Sequence, residues 1–136
     1  MSAARYMLDT DICIYMTKRQ PPGLLKRLQR LSPGQAVLSV ITFGELEFGA
    51  AKSQAQERAR EVLDELISLL PVLPLPADAA GHYGQIRAEL ETKGRPIGNN
   101  DLWIAAHARA EDLVLVTHNP GEFKRVPGLR VENWAR

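Results

Sequence analysis

The sequence predicts an α/β chain, an α/β/α sandwich with a central, mainly parallel sheet of four to five strands, on three observations. Short apolar runs alternate with segments of helical period, and parallel neighbours need such crossovers. One run, Leu113 to Val116, is apolar throughout, as in a strand covered on both faces. The 136 residues suit one domain, 1–136, with 45% hydrophobic and 24% charged residues in the ordinary globular range.

The elements follow in order. Tyr6-Met7-Leu8 reads as a strand ending at Asp9, and Ile12 to Met16 continues as a helix. Pro21-Pro22 opens a second helix with Leu24, Leu25, Leu28 and Leu31 at helical spacing, closed by Ser32-Pro33-Gly34. Gln35 to Ser39 is a strand, after which Ser39 or Thr42 starts a helix through Phe43, Leu46 and Ala50, with Glu45 in its early turns. A long amphipathic helix from about Gln54 to Leu70 stops at Pro71. Val72 to Leu75 is a weak strand that Pro74 confines to an edge. Pro76-Ala77-Asp78 starts a helix that Lys93-Gly94 ends. Gly98-Asn99-Asn100-Asp101 is turn chemistry, with Asn99 or Asn100 as cap of an apolar helix LWIAAHARA. The Leu113 strand runs into a loop, Thr117 to Glu122, and Leu129 to Glu132 is the last strand.

Composition narrows the function. A net charge of +1 gives no global pull toward nucleic acid or anionic membrane, so any such affinity is local. Basic residues cluster at Lys18, Arg19, Lys26, Arg27 and Arg30, and at Lys124, Arg125, Arg130 and Arg136, where solvated surface is the plainer reading of each. Cys13 is the only cysteine, which excludes an internal disulfide and a cysteine zinc site. The N-terminus lacks an apolar signal core and no run reaches the ~20 residues of a membrane span, so a cytoplasmic protein is expected. The chain contains no G-x-S-x-G, P-loop or G-x-G-x-x-G run, and its three histidines are scattered.

Four acids carry the chemistry: Asp9, Glu45, Asp101 and Glu122, each read as lying where a strand hands over to a helix. In open α/β sheets ligands bind at that edge. Each has a plain alternative, since Asp9 can cap a helix, Glu45 and Asp101 can favour a helix N-terminus, and Glu122 can be a loop residue. Their contexts argue otherwise: Asp9 ends an apolar strand, Glu45 lies between Gly44 and Leu46, and Asp101 introduces an apolar helix. Buried carboxylates need a partner, and no lysine or arginine is close in sequence, although Arg95 is a distant candidate. Oxygen-only ligands select Mg2+ or Mn2+, whose chemistry is phosphodiester hydrolysis. A nuclease follows.

The runs MLDTDICIYMTK, SVITFGELEFGAAKS, RPIGNNDLWIAAHARA and LVLVTHNPGEFKRVPGLRVENW resemble, in order and spacing, the PIN-domain ribonucleases of the VapC type, toxins of bacterial toxin-antitoxin pairs. The resemblance implies a PIN-like fold in which Asp9, Glu45 and Asp101 bind magnesium, Asp9 and Asp101 chiefly, and Thr117 hydrogen-bonds within the cluster. For the fourth acid, Asn119 stands where many relatives carry Asp and counts with the catalytic residues, while Glu122, slightly further on, is the candidate for the fourth metal-binding carboxylate. It further implies an endoribonuclease acting on structured RNA such as tRNA anticodon loops, neutralised by a VapB-type antitoxin and commonly a homodimer, with DNA met only through the antitoxin. Lys18, Arg19, Lys26 and His118 are the candidate RNA contacts. Trp134 is a further one, while Trp103 is expected in the core. The leucines of the Leu24–Leu31 helix and the small residues Gly44, Gly49, Ala50 and Ala51 fit a partner groove and core packing equally well. Two rivals remain: a catalytically silent PIN-like binding module, and an aspartate-nucleophile phosphatase using Asp9 and Asp11.

Overall fold

The computed structural model describes residues 3–18 and 21–135. Strand β1 (Tyr6–Leu8) leads into α1 (Thr10–Thr17), α2 (Pro22–Gln29) and β2 (Ala36–Ser39), followed by α3 (Val40–Ala51), α4 (Gln56–Leu69) and β3 (Val72–Leu73). Helices α5 (Asp78–Thr92) and α6 (Asn99–Ala110) then precede β4 (Val114–Val116), the helical turn α7 (Pro120–Phe123) and β5 (Val131–Glu132). The five strands lie in the order β3-β2-β1-β4-β5 and every pairing is parallel.

The two-residue alternation of a strand divides the core between two layers. Tyr6 and Leu8 of β1, with Ala36, Leu38, Val114 and Val116, pack with α1, α2 and α4 through Ile12, Met16, Leu24, Leu28 and Leu66. Met7, Val37 and Leu115 face the other way, against Ile86 and Leu90 of α5 and Ile104 and Ala105 of α6. Each inner strand is therefore buried on both sides, as the unbroken apolar run at β4 anticipates.

Several local expectations are corrected. The N-cap of α6 is Gly98, in extended conformation at φ −60° and ψ 152°, so Asn99 and Asn100 are helical residues with tertiary partners rather than caps. Asp101 is reached from α5, a helix, and not from a strand. Residues 120–123 form α7 rather than open loop, and β5 is shorter than Leu129 to Glu132. Trp134, offered as an RNA contact, is 4% exposed and packs edge-on against Tyr6. Trp103, expected in the core, is only half-buried and stacks on Tyr83 with ring centroids 3.9 Å apart. No helix among the described residues is long and apolar enough to cross a membrane.

Candidate active site

Parallel pairing puts the carboxyl ends of β1, β2 and β4 side by side, and the chain leaves each of them at a polar residue. After β1, Asp9 caps α1, its Oδ1 accepting the Thr10 N–H at 2.7 Å. After β2, Ser39 caps α3 by accepting the Ile41 N–H at 3.1 Å, which sets the start of the helix and so the side on which Glu45 emerges. After β4 comes Thr117, fully buried. Asp101 in the first turn of α6 and Glu122 in α7 complete the set.

The side chains meet. Thr117 Oγ1 lies 3.0 Å from Asp9 Oδ2 and 3.3 Å from both Asp11 carboxylate oxygens, while accepting the Asn119 N–H at 3.1 Å. The His118 N–H donates to Asp11 Oδ1 at 3.2 Å. The Thr10 hydroxyl donates to Glu45 Oε1 at 2.5 Å, and Asn100 Nδ2 approaches Glu45 Oε2 at 3.4 Å. Asp101 and Glu122 lie close enough for the Glu122 carboxyl to raise that of Asp101.

Such crowding has an electrostatic cost. Burial first, then the charges of Asp11 and Asp101, push the Asp9 carboxyl up to about 8, against the partial relief of the Thr10 N–H. Asp101 is pushed to about 7 by burial, by the Glu122 carboxyl, and by Glu45 and Asp11. Beneath them the buried Cys13 thiol is also driven upward, by burial and by Asp9 and Asp11, so it is no thiolate nucleophile. None of the ion pairs among the described residues reaches one of these acids, and Arg95 is not their counter-ion.

Five carboxylates with no lysine or arginine partner among the described residues, all hard oxygen donors, fit Mg2+ or Mn2+. Among the described residues no three His, Cys, Asp or Glu side chains converge closely enough to seize one ion outright. Mg2+ commonly keeps several of its waters and takes only one or two carboxylates directly.

The structure places Asp9, Glu45, Asp101, Glu122 and Thr117 around one edge of the sheet and adds Asp11, which the sequence offers only to the phosphatase rival. Its signal was its place two residues after Asp9, in the first turn of the same helix. Asn119 contributes a backbone N–H; its side chain is exposed and makes no hydrogen bond to an acid. The ring of His118 sits edge-on to Tyr15, centroids 4.5 Å apart. Lys18 and Lys26 are exposed, Lys18 at the far end of α1, roughly 13 Å along the helix from Asp9; Arg19 lies outside the described residues. A groove of about 350 Å³ runs from Thr10 and Glu45 between α1, α3 and α4, lined by Ile14, Leu46, Gly49 and Leu66. Gly49 and Ala50 line it while Gly44 and Ala51 do not, and Leu24 and Leu28 belong to the core.

The PIN-domain family model matches residues 6–129. A tRNA(fMet)-specific endonuclease VapC of Shigella flexneri is 47% identical over 131 residues, 96% of this chain and 98% of that protein. The chain belongs to the PIN-domain family of VapC ribonucleases. Solved structures of the family agree: the DNA-bound VapBC of Salmonella typhimurium superposes with a TM-score of 0.91 at 46% identity, covering 96% and 98% of the two chains. VapBC2 of Rickettsia felis, bound to a DNA fragment from its promoter, gives 0.88 at 39% identity over 98% and 99%. PIN-domain nucleases are generally dependent on a divalent metal, the class of ion that the oxygen-only donors select.

Proposed function

We propose that this VapC-family protein is a magnesium-dependent endoribonuclease, the toxin of a toxin-antitoxin pair that acts in the cytoplasm on structured RNA and is silenced by a VapB-type antitoxin. The observation that carries it is the cluster of Asp9, Asp11, Glu45, Asp101 and Glu122, in which the Asp9 and Asp101 carboxyls are pushed upward and, among the described residues, no acid is paired to a lysine or arginine. Asp9 and Asp101 would hold Mg2+ directly, with Glu45 and Glu122 reaching it or its waters. When bound, the metal supplies charge neutralisation at the scissile phosphate and an acidified water. Thr117 fixes the rotamers of Asp9 and Asp11, and the Thr10 N–H keeps Asp9 from turning away. Exposed Lys18, Lys26 and the His118 edge take the RNA backbone; the name of the Shigella relative, a tRNA(fMet)-specific endonuclease, supports a tRNA, and an anticodon loop is the part of it where unpaired bases can splay outward.

The apolar groove opening at Glu45 supports the antitoxin assignment, as do the VapBC complexes formed by relatives. Half-exposed Phe48 and Val40 on α3 leave apolar surface for a second copy.

The test is cleavage of initiator tRNA by antitoxin-free protein. Cleavage should require Mg2+ or Mn2+ and vanish in Asp9→Asn and Asp101→Asn with unchanged circular dichroism. Metal-independent cleavage, or full activity of Asp9→Asn, refutes the reading.

A further inference from the structure

Thr10 stands between two of the acids and offers each a donor. Its N–H goes to Asp9 Oδ1 at 2.7 Å and its hydroxyl to Glu45 Oε1 at 2.5 Å, bridging α1 and α3, which are 35 residues apart in sequence at these positions. A hydroxyl has one proton, so giving it to Glu45 leaves only acceptor capacity toward the fully buried Thr42 hydroxyl, 3.5 Å away. The only other hydrogen bond to the Glu45 carboxylate among the described residues is the longer one from Asn100.

Glu45 needs such a hold. It is half-buried at the mouth of the groove, which Thr10 and Glu45 both line, and its charge works against that of Asp101. A glutamate with three free torsions in that field would turn outward, away from the other acids and into the groove. Thr117 performs the matching service for Asp9 and Asp11 on the opposite side of the site.

We propose that Thr10 is a positioning residue whose hydroxyl holds the Glu45 carboxylate in the metal-binding cluster and keeps it out of the adjoining groove. The proposal rests on the metal-nuclease reading above. Partners of this kind, one bond removed from the ion, typically set metal affinity by roughly 10- to 100-fold. Thr10→Val keeps the shape and the N–H to Asp9 while removing the hydroxyl, and Thr10→Ser restores it.

Mn2+ binding to the full chain, followed by the electron paramagnetic resonance signal of free Mn2+, gives a readout separate from turnover. Thr10→Val should weaken Mn2+ affinity by about 10-fold or more at unchanged melting temperature in metal-free buffer, and Thr10→Ser should recover most of it. In a Glu45→Gln background, Thr10→Val should add nothing further, because the carboxylate it serves is gone. Wild-type affinity in Thr10→Val, or losses that simply add in the double variant, would overturn the role of Thr10 and leave the metal site standing. Absence of Mn2+ binding by the wild type would overturn the metal reading itself, and the proposal with it.

Discussion

Asp9→Asn should make the metal-free protein more stable while destroying its activity. The buried carboxyl of Asp9 sits at about 8, against an ordinary value of 3.8. Between those pH values the folded chain binds more protons than the unfolded chain, so stability is greatest at the acid end and is lost as pH rises through the window. At about 1.4 kcal/mol per pH unit the ceiling on that loss is roughly 6 kcal/mol. Asp101 shares the same field and water reaches the open side of the site, so a gain of about 2 to 4 kcal/mol at pH 8 is the expected release. Asparagine still accepts the Thr10 N–H, and the Thr117 hydroxyl can turn to accept from the new amide. For a chain of this size that is on the order of 6 to 15 °C in Tm. Thermal unfolding of both proteins in EDTA from pH 4 to 9 should show curves that meet near pH 4 and diverge upward, and millimolar Mg2+ should raise only the wild type at pH 8. Parallel curves, or a variant less stable at pH 8, would refute the account of the cluster as a strained site held ready for a cation.

Glu122→Gln should lower the cleavage rate at least ~10-fold through its contact with Asp101, whereas Asn119→Ala, with its exposed side chain, should stay near wild type in the same single-turnover assay. Charge reversal at Lys18 and Lys26 should weaken binding to all RNAs alike and flatten the slope of log affinity against log salt by about one for each phosphate no longer neutralised, as read by filter binding across a salt series. Ile14→Lys, at a 40% exposed groove position, should cut affinity for the co-expressed antitoxin by on the order of 100-fold in calorimetry while leaving RNA cleavage intact.

The layering was legible because burial leaves a periodic trace: the apolar run at Leu113 to Val116 has no other use than a covered strand. Asp9 and Glu45 were legible for a related reason, each following an apolar run at a strand-to-helix step. Asp101 was found by its apolar helix and its resemblance, although the step that delivers it joins two helices. The capping role of Asn99 and Asn100 was misjudged because local propensity cannot see Tyr83 and Glu45, which claim those amides. Asp11 escaped for the same reason, since its partner Thr117 lies 106 residues away. Trp103 misled because an apolar helix sequence records average burial, not which turn reaches the rim.

The first strand of the chain is the middle strand of the sheet, and this orders events during synthesis. Asp9 emerges from the ribosome early, but the Thr117 that orients it follows 108 residues later, and β4 cannot seat beside β1 before then. Parallel pairings so remote in sequence form late and slowly. A nascent copy thus exposes its first acid long before the strand that completes the site is there to orient it.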